Sequence, residues 1–158
     1  DDLSRGLGDV YKRQEFDRGR SMSIFSRILD GSIPCHRVYE DDLTLAFLDI
    51  NPLAPGHTLV IPKEAQATVM DLSEESAAGI GRVLPRITRA ACAAAGVQEC
   101  NIIQNNGAGA GQEVMHVHFH VIPKSSEFGL RKQWTPRPLA DGEAEEILRI
   151  MQASVGRE

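Results

Sequence analysis

The chain reads as an α+β protein whose antiparallel strands follow one another as a meander, with helices set to one side. Three observations point there. Short apolar segments recur between turn residues, other stretches carry apolar side chains at helical spacing, and the strands come in succession, not in the strict alternation with helices that builds a parallel doubly wound sheet. At 158 residues the chain suffices for one ordinary domain and is too short to bury a second core.

Residues 1–21 balance five acidic against five basic side chains and follow no period, so they are expected to be a non-native or disordered extension, with Met22 as a natural start. Ile24, Phe25, Ile28 and Leu29 fall at helical spacing, and Gly31 is placed to end that helix. Residues 43–50 (LTLAFLDI) and 58–61 (TLVI) read as strands, with NPLAPG as the turn of a hairpin. A helix is expected over 73–95, with Ser73 as N-cap, Glu74 and Glu75 in its first turn, and Ile80, Leu84, Ile87 and Ala91 on one face. Pro85 should kink or divide it, because proline lacks a backbone donor and crowds the preceding turn. Residues 101–104 and 114–122 supply two more strands around a glycine-rich loop. Asp141 is placed to cap a last helix running to about Ala153. The division is thus an extension (1–21), a domain (22–126) and a tail with a short helix (127–158).

Composition narrows the function. An apolar fraction of 42% with 25% charged residues describes a globular protein, and no apolar run reaches the roughly 20 residues of a membrane span. The net charge of −5 argues against a nucleic-acid partner, whose binding draws on clustered Lys and Arg. Cys35, Cys92 and Cys100 form neither a CxxC pair nor an even framework, and no cleavable signal is visible; both point to the cytoplasm.

The chemistry concentrates in HVHFHVI. His116, His118 and His120 recur at every second position, the strand period, which puts the three imidazoles on one face with Val117, Phe119 and Val121 behind them; a helix, at about 100° per residue, would scatter them. Two other readings stay open at this point: a half-exposed strand rich in histidine, and a zinc site, although the run offers no acidic or thiol ligand. The segment just upstream, NNGAGAGQEV, favours an anion site. Gly107, Gly109 and Gly111 let backbone N–H groups approach phosphate, and Asn105 and Gln112 add neutral donors at the loop's two ends.

With SIFSRILDGSIP, LAFLDINPLAPGHTLVIPK and NNGAGAGQEVMHVHFHVIP, the stretch from Met22 to Pro123 resembles the histidine triad (HIT) family, in particular its Hint-like branch of purine nucleoside phosphoramidases. The resemblance implies a five-stranded antiparallel sheet with two main helices per subunit, a C-terminal helix following, and a homodimer formed by the long helix and a neighbouring strand. It implies hydrolysis at the α-phosphate of purine nucleoside phosphoramidates through a nucleotidyl-histidine on His118, with an AMP-like nucleotide as substrate. His120 would contact the phosphate or leaving group, while His116 completes the triad. His57 would orient the catalytic group. Asn105, Gly111, Gln112 and the backbone of Glu113 would hold phosphate. Asp49 would bind ribose, and Ile24, Phe25, Ile28, Phe47, Ile50 and Leu59 would line the nucleoside pocket.

The departures carry information too. Many bacterial relatives hold a structural zinc with a CxxC pair before the first helix, a histidine shortly after the IPK strand and the first triad histidine. Ser23, Ser26 and Ala65 occupy the first three places here, so no metal and no cofactor is expected. Trp134 in RKQWTP is loosely similar to a C-terminal segment of the family that reaches toward a site of the dimer. A dinucleoside polyphosphate hydrolase is the rival enzyme, and a nucleotide-binding scaffold dimer with little turnover is the rival from another class.

Overall fold

Strand alternation builds the molecule around one sheet. The computed structural model describes residues 22–131 and 134–156; the expected extension 1–21 lies outside them. The elements are α1 (Ile24–Leu29), β1 (Arg37–Glu40), β2 (Thr44–Leu48), β3 (Thr58–Pro62), α2 (Glu74–Ala95), β4 (Glu99–Gln104), β5 (Phe119–Lys124) and α3 (Glu143–Val155). The five strands pair antiparallel in the order β1-β2-β3-β5-β4. The meander therefore holds through β3. The crossover through α2 then sets β4 at the far edge, and β5 returns between β3 and β4.

Each face of the sheet is covered by one helix, which corrects the expectation of helices set to one side. Leu45, Phe47, Leu59 and Ile61 cluster with Ile24, Phe25 and Ile28 of α1. The alternate residues Ala46, Val60 and Val121 pack against Ile80, Val83, Ile87 and Ala91 of α2, as the period of two requires. Ser23 caps α1 by accepting from the Ser26 N–H at 3.1 Å, and Ser73 caps α2 by accepting from the Ser76 N–H at 3.2 Å. Gly56 crosses behind α2 at φ +80, where a Cβ would meet the Ala91 carbonyl oxygen at 2.7 Å; only glycine fits this approach.

Three local expectations change, and one strand has no counterpart among them. α2 is one helix through Pro85. The carbonyl that proline leaves without a donor, that of Gly81, sits on an exposed turn where water can replace the missing N–H. Asp141 does not cap the last helix, because Gly142 holds the cap position at φ +78 with no side-chain cap. Glu143 instead takes the Ala140 N–H at 2.7 Å. The final strand begins at Phe119, not Val114, so His116 and His118 lie on an irregular arm, bent at 114–116, that leads into it. Strand β1 has no alternating signal, its side chains being exposed but for the half-buried Tyr39. No helix is long and apolar enough to cross a membrane among the described residues.

Candidate active site

Three segments converge on the α1 side of the sheet. Strand β5 carries His120, which pairs directly with Leu59 on one side and Ile103 on the other, and so shares the face of the α1 cluster. The arm leading into β5 carries His116 and His118. The turn after β2 carries Asp49 and His57. The rings of His118 and His120 stand 5.0 Å apart, centroid to centroid, those of His57 and His120 5.2 Å, and Phe25 sets its edge against His118 at 5.1 Å.

Backbone partners fix the proton on each ring. A carbonyl only accepts, so the nitrogen facing it must carry the hydrogen. His118 Nδ1 lies 2.7 Å from the His116 carbonyl; its proton is there, and Nε2 keeps a lone pair with no partner among the described residues. His116 donates through Nε2 to the Pro62 carbonyl at 2.8 Å. His57 accepts the Leu53 N–H at Nδ1, 3.0 Å away, so its proton sits on Nε2 and is donated to His120 Nδ1 at 2.9 Å. His120 in turn must carry its own proton on Nε2. The Asp49 carboxylate lies 3.4 Å from His57 Nε2 and 4.0 Å from His120 Nδ1.

Burial holds all four rings below their ordinary pKa, because the low-dielectric surroundings disfavour the imidazolium. For His118 and His116 the carbonyl hydrogen bonds oppose that fall, and for His57 and His120 the Asp49 carboxylate does; neighbouring imidazoles reinforce it at His116, His118 and His120. Near pH 7 the rings are neutral, the state the tautomer pattern describes.

The glycine loop is braced from within. Gln112 is buried; its Oε1 accepts the Gly107 N–H at 2.7 Å, and its Nε2 donates to the carbonyls of Ala67 at 2.6 Å and Val114 at 2.9 Å. This corrects the expectation that the Gln112 side chain offers donors to phosphate: both amide protons are engaged, so the residue shapes the loop. Asn105 reaches the Gly111 carbonyl at 3.4 Å. Gly107 and Gly111 lie at φ +94 and +91, where L side chains are strained. The N–H of Glu113 makes no hydrogen bond among the described residues, so a backbone donor stands at the loop's end.

The apolar residues expected around a nucleoside are mostly core. Ile24, Phe25, Ile28, Phe47 and Leu59 are buried, and Ile50 packs against them half-buried. Phe25 packs against the rings of His116 and His118, and Leu59 stands opposite His120 on the neighbouring strand. Trp134 is 70% exposed. No motif points to the Pro62 and Ala67 carbonyls or the Leu53 N–H, which fix His116, Gln112 and His57. Only the position of His57 four residues after Leu53 in a tight turn hinted at the last.

The donor set does not suit the structural zinc of bacterial relatives. Ser23 and Ser26 serve the α1 cap, Ala65 offers no ligand, and His116 is committed to Pro62. Among the described residues, one group of metal-capable side chains converges: Asp49, His57 and His120. The Leu53 N–H keeps the proton of His57 on the nitrogen that would bind the ion, so this group is wired for protons.

A family model described as HIT domain matches residues 30–127. The chain is 46% identical over 121 residues to the adenosine 5′-monophosphoramidase of Schizosaccharomyces pombe, covering 76% of this chain and 88% of that protein. It is 41% identical over 101 residues to an adenylylsulfatase of Arabidopsis thaliana, covering 64% of this chain and 51% of that longer protein. A crystal structure of a HIT family member from Bacillus subtilis superposes with a TM-score of 0.81 at 33% identity, over 87% of this chain and 100% of its own.

Proposed function

Because this chain belongs to the HIT domain family, we propose that it is a nucleotide hydrolase that releases AMP from adenosine 5′-phosphoramidate-like substrates through a nucleotidyl-histidine on His118. One observation carries the reading: the His116 carbonyl holds the proton of His118 on Nδ1, leaving Nε2 as a neutral nucleophile beside His120. Neutral imidazole needs no metal to attack phosphorus.

Nε2 of His118 forms a bond to the α-phosphorus as the P–N bond breaks, its electron pair leaving with nitrogen. The Nε2–H of His120 hydrogen-bonds to the departing nitrogen, which takes its proton from solvent and leaves as the neutral amine. The phosphoryl-imidazolium keeps its Nδ1 proton on the carbonyl. Water then attacks phosphorus, releases a proton to solvent and restores neutral His118 as the P–Nε2 bond breaks. His57, donating to His120 Nδ1, acts as a positioning residue. The free Glu113 N–H and the glycine loop face the phosphoryl oxygens in this reading, Asn105 and Gly111 border them, and Asp49 takes the ribose hydroxyls.

Two finer points belong to the same proposal. The open edge of β4 and the 43% exposure of Ile102 support a homodimer paired along that strand and α2. The three thiols are free, in keeping with a reducing, cytoplasmic setting.

The test incubates wild type and His118→Ala with adenosine 5′-phosphoramidate and with diadenosine polyphosphates, following AMP. The expected result is release by wild type from the amidate, a drop of at least about 10³-fold in the variant, and an acid-labile nucleotidyl label on wild type alone. Equal background release from both proteins would leave only a nucleotide-binding scaffold. Preference for the polyphosphates would make the enzyme a dinucleoside polyphosphate hydrolase.

A further inference from the structure

The ladder between β3 and β5 ends at Thr58↔Val121, so among the described residues no strand pairing joins the turn that carries His57 to the last residues of β5. A short loop makes that connection instead. The Ser125 hydroxyl accepts the N–H groups of Glu127 at 3.0 Å and Phe128 at 3.3 Å, and its own N–H donates to the Phe128 carbonyl at 3.1 Å, which turns the chain back on itself. Gly129 then donates its N–H to the Leu53 carbonyl at 2.9 Å. Leu53 is the residue whose N–H is accepted by His57 Nδ1 at 3.0 Å. Gly129 and His57 thus hold one residue at its two ends. At φ +97 a Cβ on Gly129 would meet the Pro123 carbonyl oxygen at 2.5 Å and the Lys124 Cα at 3.0 Å, so only glycine lets the loop lie this close to the end of the strand that carries His120.

We infer that Gly129 is a positioning residue of the histidine site: by pinning Leu53 it keeps that residue's N–H on His57 Nδ1, and so keeps the proton of His57 on Nε2. This role rests on the hydrolase reading only in its effect on turnover. With Leu53 released, His57 can carry its proton on Nδ1. Its Nε2 then presents a lone pair to His120 Nδ1 across 2.9 Å, a repulsive contact until His120 moves its own proton to Nδ1. His120 Nε2 thereby loses its hydrogen, and with it the hydrogen bond to the departing nitrogen. The Asp49 carboxylate, 3.4 Å from His57 Nε2, favours the original tautomer, so release gives a mixture of the two. His116 and His118 are fixed by the Pro62 and His116 carbonyls and do not depend on Gly129.

The experiment labels histidine with ¹⁵N and reads the ring nitrogens by NMR at about pH 8, where the rings are neutral, in wild type, Gly129→Ala and the milder Ser125→Ala. It also measures kcat and KM for adenosine 5′-phosphoramidate. Wild type should show His57 protonated on Nε2. In Gly129→Ala, His57 and His120 should shift toward the other tautomer while His116 and His118 keep theirs, and kcat should fall about 3- to 10-fold with KM changing less than about 2-fold. Ser125→Ala should shift the same two rings by less. Wild-type signals for His57 in folded Gly129→Ala, or a change spread over all four rings, overturns the positioning role. Should Gly129→Ala fail to fold, Ser125→Ala decides by the same two criteria. No AMP from wild type overturns the hydrolase reading alone, because the ring signals still judge Gly129.

Discussion

The two faces of the sheet are made by the same alternation and put to opposite uses. Toward α2 the strands offer Ala46, Val60 and Val121 to Ile80, Val83 and Ile87, and what matters there is volume. Toward α1 the same strands offer Leu59 and His120, and what matters around the rings is which backbone group each nitrogen meets. Packing specifies the first face. Hydrogen-bond direction specifies the second, because a carbonyl or an amide selects one tautomer out of two. Stability and chemistry are therefore separable by mutation.

The largest separation should come from paired truncations. Ile87→Ala should lower unfolding free energy by about 2–5 kcal/mol through lost burial and a residual cavity, read by urea denaturation, with turnover of the folded fraction nearly unchanged. His118→Ala should do the reverse, with the AMP assay collapsing while the urea midpoint moves little. A destabilised His118→Ala protein would mean that the imidazole face is part of the core after all.

Gly56→Ala should cost about 2 kcal/mol or more, since the new Cβ is strained at φ +80 and meets the Ala91 carbonyl. A thermal shift below a degree would contradict that close approach.

Acid should act on the histidine face alone. The folded pKa of each ring lies below the unfolded value of about 6.5, so above that pH both states are neutral and stability is fully present. As pH falls below about 6.5, the unfolded chain binds protons that the folded chain refuses, and stability is lost through the lowered folded values. Melting temperature should be level from pH 8 to 7 and decline toward pH 5. A flat profile would place the rings in a wetter environment than the structure does. The smallest effect should be that of Gln112→Ala, which frees the glycine loop and should raise KM about 5- to 10-fold, with kcat falling less.

Much of this was legible in the residues. Alternation in HVHFHVI put His118 and His120 beside each other, and the cap at Ser73 followed from residue type. The expected strand ran too far back because periodicity records which side chains are buried, whereas a strand also needs a neighbour, and β5 has one only from Phe119. Gln112 was misread because an amide beside a glycine loop can brace it or face a ligand, and the choice depends on Ala67, far away in the chain. Strand β1 escaped notice because an exposed edge needs no apolar alternation.

The register Gln104↔Phe119 means that residues 105–118 leave the sheet and rejoin it at one rung of the ladder. The arm is thus clipped at its base and stitched along its length by Gln112 to Ala67, His116 to Pro62 and Val117 to Gln66, so that a residue added or lost within it would shift His118 while His120 stays anchored in the sheet.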